Sequence, residues 1–298
     1  MCGIVGLLIK NPDMRASLGQ YMVPMLVGMT ERGPDSAGLA VFTEETKGDK
    51  LKYSLYSGDP DFSWKDLEAS FKHHLGSKIK LIVQGNHAVL ISHLDPDEVK
   101  TWLGEHFPSV HVLSVGHSID VYKDTGLPAD VAERYNFSSL QGTHLVGHTR
   151  MATESAVTPA HAHPFTAGQD FCLVHNGSLS NPNSIRRKLE PLGITFETDN
   201  DTEAACRFLE WRLREGDELE DALVKGFQEL DGFYTFLMGT KDKLALVRDA
   251  FACKPAVVAE TRDYVAIASE FRSLAHLPNV KKAKLFEPAP EELYVWNV

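Results

Sequence analysis

The chain opens Met1-Cys2-Gly3-Ile4-Val5-Gly6. A cysteine directly after the initiator methionine becomes the first residue once Met1 is removed. One residue then carries both a thiol nucleophile and a free α-amine. Cys and Thr react this way at a chain's N-terminus, with the residue's own amine as the base. The intrinsic pKa of that amine, about 7.7–8.0, leaves a useful fraction neutral near pH 7. The plain alternative is a buried cysteine that happens to follow Met1, and taken alone that is the commoner meaning. Segments further along the chain reverse the balance.

The elements that must position this terminus are legible in part. Ile4 to Ile9 is an apolar run that reads as a buried strand and would fix the end of the chain. Leu18 to Thr30 has helical spacing, with Pro24 expected to kink or delay it. Arg32-Gly33-Pro34-Asp35-Ser36-Ala37-Gly38 is a turn by composition, and Leu39 to Phe42 a strand. Within residues 44–142, short strands are expected at 80–83, 88–92, 110–115 and 118–122, with a helix over 96–106 opened by Asp95. That alternation suggests a small α/β module inserted into a larger fold. Phe171 to Val174 reads as a strand ending in His175-Asn176-Gly177. Helices are expected over 181–192, over 202–214 with Asp201 as N-cap, and over 218–230. Late strands follow. Many strands with helices in segregated runs indicate layers of sheet and helix, not an alternating barrel.

Composition sets outer bounds. The 298 residues suffice for one large domain or two small ones. A net charge of -11 argues against nucleic acid or an anionic membrane as partner, since both call for a basic face. Cys2, Cys172, Cys206 and Cys253 are scattered without a C-x-x-C pair, so neither a zinc ribbon nor a disulfide framework is expected. Reduced thiols and the lack of a signal-peptide pattern fit a cytoplasmic setting. His144, His148, His161 and His163 are irregularly spaced, which favours packing over metal ligation.

Five segments belong together: Met1 to Gly6, Arg32 to Gly38, Gly147-His148-Thr149-Arg150-Met151-Ala152-Thr153, His175-Asn176-Gly177 and Asp201-Thr202-Glu203. In this order they resemble the class II glutamine amidotransferases, the N-terminal-nucleophile glutaminases. Ala160-His161-Ala162-His163-Pro164, Leu246-Val247-Arg248-Asp249 and Ala268-Ser269-Glu270 add further echoes. The resemblance implies an α+β fold, the four-layer αββα sandwich, over residues 2–298 with the 44–142 module inside it.

The resemblance also assigns roles. Cys2 is the nucleophile, and the Asn176 side chain and Gly177 N–H form the oxyanion hole. An Asn-Gly pair by itself more often marks a hairpin turn. Free glutamine is a zwitterion. Arg150 has the planar fork that grips its carboxylate, Thr153 is a second contact there, and Asp201 takes its ammonium. Arg32 orders the nucleophile loop, with an ordinary loop arginine as its rival reading. Two positions depart from the family: Met151 stands where many members have Trp, and Glu154 where they have His. An acid beside a carboxylate site is unexpected, so Glu154 carries no substrate role.

The closest likeness is to stand-alone amidotransferase subunits of glutamate synthase and N-methylglutamate synthase complexes. It implies a hetero-oligomer that hydrolyses L-glutamine and passes nitrogen to a flavin-dependent synthase subunit. No cofactor is expected in this chain. FMN, with an iron–sulfur cluster as a further candidate, would sit in the partners. Two rivals stand beside this reading: an N-terminal-nucleophile amidase for another amide, and a catalytically silent regulatory subunit.

Overall fold

The computed structural model describes residues 2–75, 79–152 and 157–298. The first quarter forms β1 (Gly3–Ile9), α1 (Leu18–Val27), β2 (Ser36–Phe42), β3 (Leu51–Ser57) and α2 (Trp64–Leu75). The next stretch forms β4 (Lys80–Gln84), β5 (His87–Ser92), α3 (Pro96–His106), β6 (Val110–Gly116), β7 (Ile119–Thr125) and α4 (Pro128–Arg134). Then come β8 (His144–Arg150), β9 (Phe165–Thr166), β10 (Phe171–Leu179), α5 (Pro182–Leu189), α6 (Asp201–Arg214) and α7 (Leu219–Glu229). The chain closes with β11 (Gly232–Thr240), β12 (Lys243–Arg248), β13 (Val257–Glu260), β14 (Tyr264–Ala268), β15 (Lys284–Phe286) and β16 (Tyr294–Asn297). Among the described residues no helix is long and apolar enough to cross a membrane.

Two antiparallel sheets pack face to face. One runs β15-β13-β14-β1-β8-β2-β7 and the other β16-β12-β11-β10-β9. Strand period 2 explains why β1 is apolar along its whole length. Val5, Leu7 and Ile9 face a core shared with α1 and α4, whereas Ile4 and Leu8 face the second sheet. Phe42, Val121, Val146, Cys172, Val174, Leu237 and Ile267 fill the layer between the sheets. On the far side of the second sheet, Phe171, Leu173 and Phe236 pack against Ile185, Phe208 and Leu223 of α5, α6 and α7. Helix, sheet, sheet and helix make the four layers expected of the fold. Pro24 sits inside α1, which still runs to Val27.

The inserted module is narrower than 44–142. Its own sheet, β4-β5-β3-β6, spans Leu51–Gly116 and packs Tyr53, Leu55 and Leu90 against Trp64, Phe71 and Trp102 of α2 and α3. The strand expected at 118–122 belongs elsewhere. As β7 it pairs along β2 from Ser36↔Thr125 to Phe42↔Ile119 and completes the larger sheet. Its alternation is the reason: Ile119 and Val121 point between the main sheets, and Tyr122 into the α1 core. Strand β3, α2 and α4 lack a strong sequence signal and emerge only in the fold.

Asp170, buried at the turn into β10, fixes the module's exit. It accepts hydrogen bonds from the N–H groups of His117, Ser118 and Ile119 at 2.8, 2.8 and 3.0 Å, and from the Ser118 hydroxyl at 2.9 Å. Removing the carboxylate strands several buried donors together. Asp170→Ala should therefore lower unfolding stability by roughly 3 kcal/mol or more. Urea denaturation would check this, and a loss under 1 kcal/mol would mean that the turn re-pairs its donors.

Candidate active site

Alternation along three strands brings the candidate residues to one end of the sandwich. On β8, Val146, His148 and Arg150 point toward the second sheet, while Leu145 and Thr149 point toward α1. On β10, Cys172, Val174 and Asn176 point toward the first sheet, while Leu173 and His175 point toward the helices. Gly3 pairs with Thr149, so Cys2 continues the β1 alternation onto the inter-sheet face beside Arg150. His148 crosses the gap. Its Nε2–H donates to the His175 carbonyl at 3.0 Å, one residue before Asn176. Cys2, Arg150 and Asn176 thus share the facing surfaces of the two sheets at the same end.

The nucleophile strand is held on both sides. Ile4 N–H donates to Ser269 Oγ at 3.0 Å, and Ser269 N–H returns a 3.0 Å bond to the Ile4 carbonyl. Arg32 Nε donates to the Cys2 carbonyl at 3.0 Å, and its Nη1 pairs with Glu270 at 3.0 Å. Arg32 therefore holds the Cys2 backbone by direct contact. Cys2 Sγ lies half-buried, 4.0 Å from the Met151 carbonyl oxygen. Of the other thiols, Cys172 and Cys206 are fully buried, and burial pushes Cys172 up to about 12. Cys253 is exposed.

The Arg-Gly-Pro-Asp-Ser turn is laced to the end of β8. Asp35 N–H donates to the Arg150 carbonyl at 3.0 Å, and the Asp35 carboxylate accepts from Ala152 N–H at 2.7 Å. Gly33 is required by the close approach, because a Cβ there would overlap the Thr149 carbonyl. Ser36 lies across from Arg150 in the sheet, fully buried, with its hydroxyl unpaired. Sequence reasoning gave Ser36 no role. The Thr153 and Glu154 assignments fall outside the described residues.

Asn176 is 2% exposed, and its Nδ2 has no hydrogen-bond partner. An unpaired buried amide donor is costly in a native structure and marks a place where an acceptor belongs. Gly177 has φ +148, and a Cβ there would collide with the Phe233 carbonyl. Ladder parity orients its N–H. The Leu179 N–H leaves the β10–β11 ladder to reach Asp201 Oδ2 at 2.8 Å. Gly177, two residues earlier, presents its N–H to the same open edge.

Asp201 is not the N-cap that the sequence suggested. Asn200 caps α6, accepting from Thr202 N–H at 2.9 Å, and leaves Asp201 free to bind β10. Both Asn and Asp cap well, so propensity alone could not rank the neighbours. The His161–His163 segment also takes part: His161 Nε2 lies 3.0 Å from Asp199, and His163 Nε2 2.9 Å from Thr202 Oγ1. Among the described residues no group of three or more His, Cys, Asp or Glu side chains is arranged to hold a metal ion. A partly open cavity of about 280 Å³ lies away from Cys2, between the inserted sheet and β9, lined by Tyr56, Leu113, Phe165 and Arg207.

The geometry can be set beside known proteins. A glutamine amidotransferase domain model matches residues 148–276. The chain is 47% identical to the glutamine amidotransferase-like protein GlxB of Rhizobium meliloti (strain 1021), covering 100% of this chain and 98% of that one. This chain belongs to the class II glutamine amidotransferase family. The fold agrees. Glutamine phosphoribosylpyrophosphate amidotransferase from B. subtilis superposes with a TM-score of 0.62 at 20% identity, covering 99% of this chain and 47% of that one. A structure described as the allosteric regulatory enzyme of purine biosynthesis gives 0.65 at 20% identity, again over 99% and 47%. The amidotransferase chain thus spans about half the length of those two enzymes.

Five buried histidines tie this fold to pH. Burial pushes His87 and His144 down to about 4 and His148 to about 3, and it also lowers His163 and His175. Unfolding returns each ring to its ordinary value near 6.5, so between the folded values and pH 6.5 the unfolded chain binds more protons. Stability therefore falls as pH drops through that window, by up to about 1.4 kcal/mol per pH unit for each ring. Thermal melts should show Tm several degrees lower at pH 5 than at pH 7.5. Equal Tm values would mean that the rings protonate inside the folded protein.

Proposed function

We propose that this amidotransferase hydrolyses L-glutamine through Cys2 and supplies the nitrogen to a separate synthase subunit. The carrying observation is the unpaired, buried Nδ2 of Asn176 on the second sheet, facing the surface of the first sheet that Cys2 and Arg150 share. In this reading Met1 is removed and the α-amine of Cys2 takes the thiol proton. The thiolate attacks the side-chain amide carbon of glutamine. The oxyanion accepts hydrogen bonds from Asn176 Nδ2 and Gly177 N–H. The α-ammonium returns its proton to the leaving nitrogen, ammonia departs, and a γ-glutamyl thioester remains. Water, deprotonated by the same amine, attacks the thioester, releasing glutamate and the thiol. Arg150 binds the substrate carboxylate as a bidentate fork, and Asp201 receives its ammonium.

Cys2→Ala should abolish glutamine hydrolysis with the fold intact. Asn176→Ala should lower kcat by roughly 10²–10³ with a much smaller change in KM, because its donor is needed where charge develops. Steady-state kinetics with intact-mass analysis would check both. Retained Met1 in active protein would refute the amine mechanism, and raised KM with normal kcat in Asn176→Ala would make that residue a ground-state contact.

The acceptor is read from chemistry. Ammonia released into water near pH 7 is largely protonated and no longer nucleophilic, and a freely running glutaminase wastes its substrate. A docked partner solves both problems. The partner we propose is a flavin-dependent subunit of the glutamate synthase or N-methylglutamate synthase type, holding FMN and, as a further candidate, an iron–sulfur cluster. The Leu51–Gly116 sheet is the proposed docking module. Glutamine turnover should be low in the isolated chain and rise when such a subunit is added. Full activity alone, unaltered by every co-encoded subunit tested, would refute the coupling.

A further inference from the structure

Behind Asn176 lies a buried cluster that the mechanism leaves unused. Thr202 Oγ1 sits 3.0 Å from His175 Nδ1 and 2.9 Å from His163 Nε2. His163 stacks on His148 with ring centroids 4.0 Å apart. His148 in turn donates to the carbonyl of His175. All four side chains are within 5% of complete burial. The rings stay neutral, so each has one N–H and one lone pair.

His148 must carry its proton on Nε2, because a carbonyl only accepts. The Thr202 hydroxyl has a single proton for three neighbours, the two rings and Asp201 Oδ1 at 3.4 Å, so it donates to at most one of them. One hydroxyl therefore joins His163, His175 and Asp201. Asp201 Oδ1, 3.8 Å from His175 Nδ1, favours the proton on that nitrogen.

Placement gives the cluster its consequence. Asp201 and Thr202 are consecutive at the start of α6, and they grip β10 on either side of Asn176-Gly177. Thr202 holds the ring of His175, and Asp201 holds the N–H of Leu179. We propose that Thr202 is a positioning residue for the oxyanion pair, its hydroxyl fixing His175 and thereby the strand segment that aims Asn176 Nδ2 and Gly177 N–H. The inference rests on the glutaminase reading above and extends it. Through the same two residues, the group assigned to the substrate ammonium and the groups assigned to the oxyanion sit on one rigid joint.

Thr202→Val removes the hydroxyl at nearly constant volume, and Thr202→Ser keeps it. The full chain carrying each change would be compared by glutamine kinetics and by ¹⁵N NMR of the histidine side chains. Thr202→Val should lose roughly 10- to 100-fold in kcat, with glutamine KM within about threefold, as expected for misaligned donors. Thr202→Ser should recover kcat to within about threefold. In the spectra, Thr202→Val should change the ring-nitrogen signals of His163 and His175 and leave the Nε2–H of His148 in place. A Thr202→Val variant with parental kcat, or one with raised KM alone, would overturn the proposal. So would a Thr202→Ser variant as impaired as Thr202→Val. Absence of Cys2-dependent glutamine hydrolysis in the parent would refute the glutaminase reading instead. The hydroxyl bridge is then judged by the spectra, where unchanged His163 and His175 signals in Thr202→Val refute it.

Discussion

One hydrogen bond registers the two sheets at the end where the candidate chemistry lies. His148 belongs to the strand that pairs with the nucleophile strand, and it donates across the gap to the carbonyl of His175 in the opposite sheet. Packed apolar faces are non-directional and tolerate small sliding. A buried N–H to carbonyl bond is directional and costly to lose. It therefore sets the relative height of Cys2 and Asn176 in a way that Ile4, Val146 and Val174 could not. Burial keeps His148 neutral, with a pKa near 3, so the joint does not titrate near neutral pH.

Around that joint, loops with no regular structure are made rigid by charged side chains. Arg32 spans the Cys2 carbonyl and Glu270. Asp35 closes the turn onto residues 150–152. Glu203 accepts from the N–H groups of Glu197 and Thr198, at 2.8 and 2.7 Å, just ahead of α6. These carboxylates accept part-buried backbone donors that lie outside regular ladders. The same device recurs at Asp170, which ties the inserted sheet to the second main sheet. The module is thus fastened to the strand that carries Asn176, at the opposite end of that strand.

The sequence by itself determined the layered class of the fold and, through the family resemblance, singled out Cys2, Asn176, Gly177, Arg150 and Asp201 as candidates for the site. Those were legible because each role requires a particular functional group: a thiol at the terminus, a glycine where a Cβ cannot fit, a guanidinium fork, a carboxylate. The strands at Ile4 to Ile9 and Phe171 to Val174 were equally plain, since short apolar runs of this length read as buried strands. Tertiary structure decided the rest. Whether Ile119–Thr125 joined the inserted sheet or the main one depended on which edge was open, and only the packed β2 edge answered that. Asn200 displaced Asp201 as cap because Asp201 was needed by Leu179, a residue 22 positions away. Ser36, Glu270, Thr202, His148, His163 and His175 lie within the segments that carry the resemblance, yet none received a role of its own, because such residues are common in ordinary packing and ion pairing. Their significance comes from partners brought close by folding, and pairwise geometry across long sequence separations is what one-dimensional periodicity does not contain.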